Sequence, residues 1–310
     1  MNILITVENS NRRLDKFLFA YLNNAPHSLI YKLLRKKRIK LNASKASGNE
    51  ILQIGDELKL YISEETIRDL RTAKVFKKAK PLTGIIFEDE NLLIVNKPAG
   101  LPSQGGAGDI NNDHLLARVL FYLQENKSYD SESSFTPALC NRLDVNTSGL
   151  VVCGKNLFTL QKINLMFKNQ EIDRVYHAVV DGIVGEVGDN KTLEGIYNKD
   201  EIRNIAKISL ISTETKKNET IAITSYEIKA VFKNHTLLEV RLVTGRSHQI
   251  RAHLASIGHP LTGDKKYGGS KSRYSNSQLL HCYKIKIPTG ETFEAPLPKN
   301  FKKFLEAKNT

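Results

Sequence analysis

Apolar positions change their period twice within the first 62 residues. Leu14, Phe17, Leu18, Tyr21 and Leu22 recur at i, i+3, i+4, i+7 and i+8, which predicts an amphipathic helix over 12–22. After the turn Asn23-Asn24-Ala25-Pro26, Ser28 is the expected N-cap of a second helix, Leu29 to about Lys37. Its Leu29, Ile30, Leu33 and Leu34 share one arc, and Lys32, Arg35 and Lys36 lie on another side. Ile39-Lys40-Leu41 predicts a short strand. Past the Gly55-Asp56 turn, Leu58, Leu60 and Ile62 alternate with Glu57, Lys59 and Tyr61 as a half-buried strand. Two helices and a small sheet predict a compact unit over 1–62 whose cationic helix face suits RNA phosphates. Residues 63–84 read as a charged linker with a possible helical stretch, closed by Pro81.

From residue 85 the pattern turns to strands. Two are predicted around the turn Asp89-Glu90-Asn91, and the continuous apolar run Leu92-Leu93-Ile94-Val95 suggests burial on both faces. Asn96 to Pro102 is a tight Pro/Gly turn, and 103–113 is Gly- and Asn-rich, so it is expected to be mobile. Asp144 stands just before Thr147-Ser148-Gly149, which leads into the apolar strand Leu150–Cys153. A carboxylate at such a junction can be held rigidly and still reach solvent, with Arg142 pointing the same way. On local pattern alone, an Asp that caps a turn and pairs with an Arg is the stronger reading. A helix over 156–169 follows, then a strand over 174–182 with Tyr176, Ala178 and Val180 on one face. Leu237–Val243 is a further strand, leading into a helix marked by Ile250, Leu254 and Ile257 and ended by Gly258 and Pro260. Arg246 stands at that strand-to-helix turn, placed to meet an anion. His248 and His253 are five apart, a poor metal pair, and local packing is the better reading. The Gly263–Gly269 turn could serve a substrate or merely connect.

Charge sharpens the picture. The net charge is +13, and residues 1–80 carry +9 of it, with 17 basic and 8 acidic residues. A basic quarter on a nearly balanced body suggests a nucleic-acid-binding module joined to something else. The chain of 310 residues is long enough for two domains. Its three cysteines, Cys140, Cys153 and Cys282, show no CxxC spacing and are too few for a disulfide framework. With no apolar run of bilayer length and no secretory form at the N-terminus, a cytoplasmic protein with reduced thiols is expected.

The runs RLDKFL, SLIYKLLRKKRIKLN and IGDELKLYI, within 12–62, resemble the S4 RNA-binding domain, with Asn42-Ala43-Ser44 where such domains usually carry Asn-Gly. VNKPAGLP (95–102), RLDVNTSGLVV (142–152), RVYHAVVDG (174–182) and VTGRSHQIRAHLASIGHPLTGDKKYG (243–268) resemble, in order, the RluA-type pseudouridine synthases. An S4 domain in front is the arrangement of the large-subunit ribosomal RNA members. Asn141 departs from the His that many members carry there.

The resemblance implies an α+β chain. An S4-like RNA-binding domain over 1–62 and a charged linker over 63–84 would precede a catalytic domain over 85–310. That domain would have a mixed, largely antiparallel sheet with helices on its faces and Asp144 at the cleft floor. It implies isomerisation of uridine in RNA, foremost 23S ribosomal RNA, with tRNA an alternative and no metal or other cofactor. Asp144 would be the nucleophile or base, Tyr176 the stacking partner and acceptor of the C5 proton, and Arg246 the partner of Asp144. Ile250, Gln249, Arg251 and Arg142 would bind substrate, and Lys32, Arg35 and Lys36 would bind RNA from the S4 module. Two other classes stand against this reading. A non-catalytic RNA-binding or ribosome-assembly factor does not need Asp144, Tyr176 and Arg246, and a nucleosidase needs a second carboxylate near Asp144. A monomer is the default expectation.

Overall fold

The computed structural model describes residues 1–71, 79–106, 113–129, 134–210 and 219–309. Most of the segment 103–113, expected to be mobile, lies outside them.

The first unit holds β1 (Asn2–Leu4), α1 (Leu14–Tyr21), α2 (His27–Arg35), β2 (Ile39–Leu41), β3 (Ser44–Lys45), β4 (Glu57–Leu60) and α3 (Glu64–Asp69). Its strands form an antiparallel sheet in the order β1-β4-β2-β3. The stripe read from the sequence faces inward: Leu14, Phe17, Leu18 and Leu22 pack with Ile30, Leu34, Ile39, Leu58 and Leu60. Two local expectations are corrected. The second helix is capped by Pro26, not Ser28, because the fixed φ of proline already sets the entry angle and its carbonyl accepts from Leu29 and Ile30. Part of the presumed linker belongs to this unit. Ser63 caps α3, Ile67 is buried in the core, and the Arg71 guanidinium lies 4.2 Å from the centre of the Tyr21 ring.

The body is one large sheet. Its strands are β5 (Ile85–Glu88), β6 (Leu92–Lys97), β7 (Ala138–Leu139), β8 (Ser148–Gly154), β9 (Asp173–Asp181), β10 (Asn190–Asp200), β11 (Ile205–Leu210), β12 (Ile221–Phe232), β13 (His235–Leu242), β14 (Leu280–Lys286) and β15 (Thr292–Glu294). The main order is β11-β10-β12-β13-β9-β14-β8-β6-β5. Every pairing is antiparallel except β8 with β14, where Ser148 stands opposite His281 and Gly149 opposite Cys282. Among the described residues four helices flank it: α4 (Leu115–Glu125), α5 (Leu157–Lys168), α6 (Gln249–Ser256) and α7 (Lys299–Asn309). Ile250 and Leu254 of α6 share a core with Tyr176, Ala178 and Val180, the predicted inward face of β9. On the reverse face Val179 packs against Phe301 and Phe304 of α7.

The parallel β8–β14 junction brings the strand behind Asp144 beside the strand that supports Tyr176. It needs Gly149. The φ of that residue is +118°, and a Cβ there would lie 2.2 Å from the Cys282 carbonyl oxygen.

Candidate active site

Asp144 sits on a loop held from three sides before it enters β8. Asn141 uses its amide as an extra rung on that strand, donating to the Leu150 carbonyl (3.2 Å) and accepting from the Val152 N–H (2.8 Å). This gives the residue that departs from the family pattern a structural part. The Ser103 hydroxyl donates to the Leu143 carbonyl at 2.8 Å and accepts from the Leu143 N–H at 3.1 Å. The third tie is Lys97. It is fully buried, and its ammonium donates to the carbonyls of Pro98 (3.0 Å), Leu101 (2.7 Å) and Val145 (3.0 Å). Three N–H donors meet three acceptors, so the turn 97–101 is stitched to the residue after Asp144. Burial pushes Lys97 down to about 7, against the opposing pull of the Asp144 charge.

The cation beside Asp144 is Arg251. Its Nη1 donates to Asp144 Oδ2 at 3.0 Å, while Nε and Nη2 grip both oxygens of Asp264 at 2.7 and 2.8 Å. Asp264 is 1% exposed, so this fork is fixed from behind the cleft. The Tyr267 ring lies 4.9 Å beneath the guanidinium, and the Tyr267 hydroxyl shares a 3.0 Å hydrogen bond with His248 Nδ1. His248 caps α6 in the left-handed region, at φ +55°, and its Nε2 lies 3.8 Å from Asp144 Oδ2. Burial lowers the pKa of this imidazole, and the Asp144 charge opposes the shift.

The expected Arg246–Asp144 pair is therefore corrected: no such pair forms among the described residues. The cause is helix phase. Arg251 lies in the first turn of α6 and points inward, whereas Arg246 precedes the helix and is exposed on the cleft wall. Two residues expected to contact substrate are already engaged within the protein. Gln249 accepts from Thr244 Oγ1 and the Arg246 N–H and donates to the Ile223 carbonyl and Thr224 Oγ1. With its amide so committed, Gln249 braces the turn that carries Arg246. Arg251 is spent on two carboxylates. Asp264, Tyr267 and Lys97 are not marked as site residues by the sequence, and His248 is weighed there only as a metal ligand and read as local packing. Asp264 and Tyr267 lie in the Gly-rich turn read as either substrate loop or connector, and Lys97 lies in the VNKPAGLP run.

Asp144 opens onto a cleft of about 1230 Å³ and onto a smaller inner pocket of about 90 Å³ beneath it. Tyr176, Ile250 and Leu280 wall the inner pocket, and Arg142, Asp144, Arg174 and Arg246 line both spaces. Among the described residues lining the cleft there are six cations and one anion, Asp144. Burial and the adjoining Cys282 thiol hold the Tyr176 phenol well above its ordinary 10. Among the described residues no cluster of His, Cys, Asp and Glu is arranged to hold a metal ion. No described helix is long and apolar enough to cross a membrane.

Comparison with known proteins agrees with this geometry. Residues 91–256, more than half of the chain, match the family model described as RNA pseudouridylate synthase. The ribosomal large subunit pseudouridine synthase D of Borreliella burgdorferi is 30% identical over 97% of this chain and 90% of its own length. Ribosomal large subunit pseudouridine synthase C of Pasteurella multocida is also 30% identical, over 98% and 93%. The fold resembles that of human RNA pseudouridylate synthase domain containing 4, with TM-score 0.58 and 21% identity over 73% of this chain and 93% of that one. An α+β sheet with one carboxylate at the floor of a basic cleft, and sequence relatives along nearly its whole length, make this chain a member of the RNA pseudouridylate synthase family and an RNA pseudouridine synthase.

Proposed function

We propose that the protein isomerises specific uridines of 23S ribosomal RNA in the cytoplasm, with Asp144 as the essential group. The observation that carries this reading is Asp144, gripped by Arg251 and the single acidic side chain among the described residues of the cleft, whose other charges are all positive. The names of the relatives, large-subunit ribosomal synthases, supply the RNA class.

The chemistry follows from the site. The target nucleotide must leave its stack, because C1′ and C5 are unreachable within one. Its base then lies against Tyr176 and Ile250, and its sugar faces Asp144. The carboxylate attacks C1′, the C1′–N1 bond breaks, and the uracil leaves with the electron pair. Removal of the C2′ proton by the same carboxylate is the other route open to it. The base turns, C5 bonds to C1′ and expels the carboxylate. The freed Asp144 takes the C5 proton, and N1 is protonated from solvent, so the isomerisation balances without a redox partner. Arg251 aims the carboxylate throughout.

We read the N-terminal unit as an S4-like RNA-binding domain. Lys32, Arg35 and Lys36 are exposed on and just after α2 and have no ion-pair partner among the described residues. A nucleosidase of the two-carboxylate type is disfavoured, because the nearest second acid, Asp264, is buried and locked to Arg251. A non-catalytic factor would leave the three-sided support of Asp144 without a purpose. The test is a pseudouridine map of 23S ribosomal RNA and tRNA from cells with and without the gene. Loss of one or more sites from 23S alone supports the proposal; identical maps contradict it.

A further inference from the structure

Arg142, Arg174 and Arg246 share one position in the molecule: each lines both the wide cleft and the inner pocket, and so the neck between them. None forms an ion pair among the described residues. Among the described residues Arg142 has only a 3.5 Å contact with Gln104, and Arg246 is exposed. Arg174 is held more tightly. Its guanidinium lies 5.5 Å from the centre of the Phe167 ring, and its Nε is buried with no hydrogen-bond partner among the described residues. Its Nη1 approaches Gly245 so closely that a Cβ on that residue would stand 2.7 Å away. The loop before Arg246 is thus shaped to admit Arg174. Three guanidiniums lining one neck, with Asp144, the only carboxylate among the described residues lining it, already paired with Arg251, form an arrangement awaiting anions.

We propose that Arg142, Arg174 and Arg246 clamp the phosphates on either side of the flipped uridine, with Arg174 the residue that fixes their position. This deepens the reading of the site as a uridine isomerase and does not depend on which RNA is modified. The base alone offers no anion for these groups, and a nucleotide within a chain offers one on each side. The clamp therefore selects uridine in a polynucleotide over the free nucleoside. It also counters the repulsion between backbone phosphate and Asp144 as the sugar approaches. Arg174 is a binding and positioning residue, since it touches the phosphate and not the reacting atoms.

The test compares two probes, uridine and uridine 3′,5′-bisphosphate, by calorimetry with the full chain at fixed ionic strength. The wild-type protein should prefer the bisphosphate by about ten- to a hundredfold, the range expected of charge-assisted hydrogen bonds. Arg174→Met should lose most of that preference and leave weak uridine binding unchanged, and Arg174→Lys should recover part of it. Gly245→Ala keeps every charge but displaces Arg174, and it should also weaken the bisphosphate. In single-turnover tritium release from ribosomal RNA transcripts labelled at uridine C5, Arg174→Met should raise the half-saturating RNA concentration and leave the saturated rate within a few-fold. An equal preference for the bisphosphate in wild type and Arg174→Met would overturn the proposal. So would a fall in the saturated rate with half-saturation unchanged. Because the nucleotide probes need no ribosomal target, failure of the 23S assignment would leave this result standing.

Discussion

Asp264 lies behind the cleft, yet it decides where the Asp144 carboxylate is held. Both of its oxygens bind Arg251, whose remaining Nη1 reaches Asp144. Asp264→Asn would keep the shape and remove the charge that fixes the fork. Breaking a buried pair on one side costs about 3 kcal/mol or more, and a misplacement on the order of 1 Å at the reacting group costs about a hundredfold in rate. A urea midpoint and single-turnover tritium release from the folded fraction should show both losses. Unchanged turnover per folded molecule would detach Asp264 from the site. At this scale the position of a residue was legible where a motif carries it, as in placing Asp144 and Ile250 at the cleft and its pocket. It was not legible where the answer depends on helix phase. Arg246 and Arg251 are equally basic, and only the start of α6 at Gln249 decides which one turns inward. A buried lysine such as Lys97 leaves no mark in a hydropathy pattern, since its three carbonyl partners come from folding.

Elements carry their own strain. The β2–β3 hairpin turns through Asn42 and Ala43 at φ +48° and +62°, the two left-handed positions that Asn-Gly occupies without cost. Ala43→Gly should therefore stabilise the first unit by about 1 kcal/mol, read as a higher urea midpoint with unchanged slope. Gly149→Ala should act in the opposite sense. It adds a Cβ against the Cys282 carbonyl at φ +118°, for a loss of roughly 3 kcal/mol by the same measurement.

Two histidines of the large sheet add a dependence on pH. Burial holds His253 and His281 down to about 4, below their ordinary 6.5. Between those values the unfolded chain binds protons that the folded chain does not, so stability falls as pH drops from 6.5 to 4. At pH 5 each should cost about 2 kcal/mol relative to neutral pH. A urea midpoint that stays flat from pH 7 to 5 would contradict this. Strands with strict alternation or continuous apolar runs, such as β4, β6 and β9, were readable from the sequence. The hairpin of β10 and β11 was not, because β10 turns only Leu193 and Gly195 fully inward and its other residues are polar or half-exposed.

For the whole molecule, charge and hydropathy period pointed to a separate N-terminal unit, and residues 1–71 do hold a core and a sheet of their own, but the end of that unit was not legible. Glu64, Glu65 and Asp69 made α3 look like linker, and only Ile67 and Leu70 betray its packing on the first core. Replacing Lys32, Arg35 and Lys36 together by Gln should weaken RNA binding and flatten its log–log salt dependence by about 2, as three phosphate contacts release fewer counterions. An unchanged slope would separate α2 from RNA.

The central claim is that one carboxylate, Asp144, isomerises uridine in ribosomal RNA. It is tested most directly by tritium release from a 23S ribosomal RNA transcript labelled at uridine C5, with wild-type protein and Asp144→Asn at matched RNA occupancy. The account predicts stoichiometric release by wild type and none by the variant, with RNA affinity changed less than threefold. Release by Asp144→Asn at near the wild-type rate would contradict it.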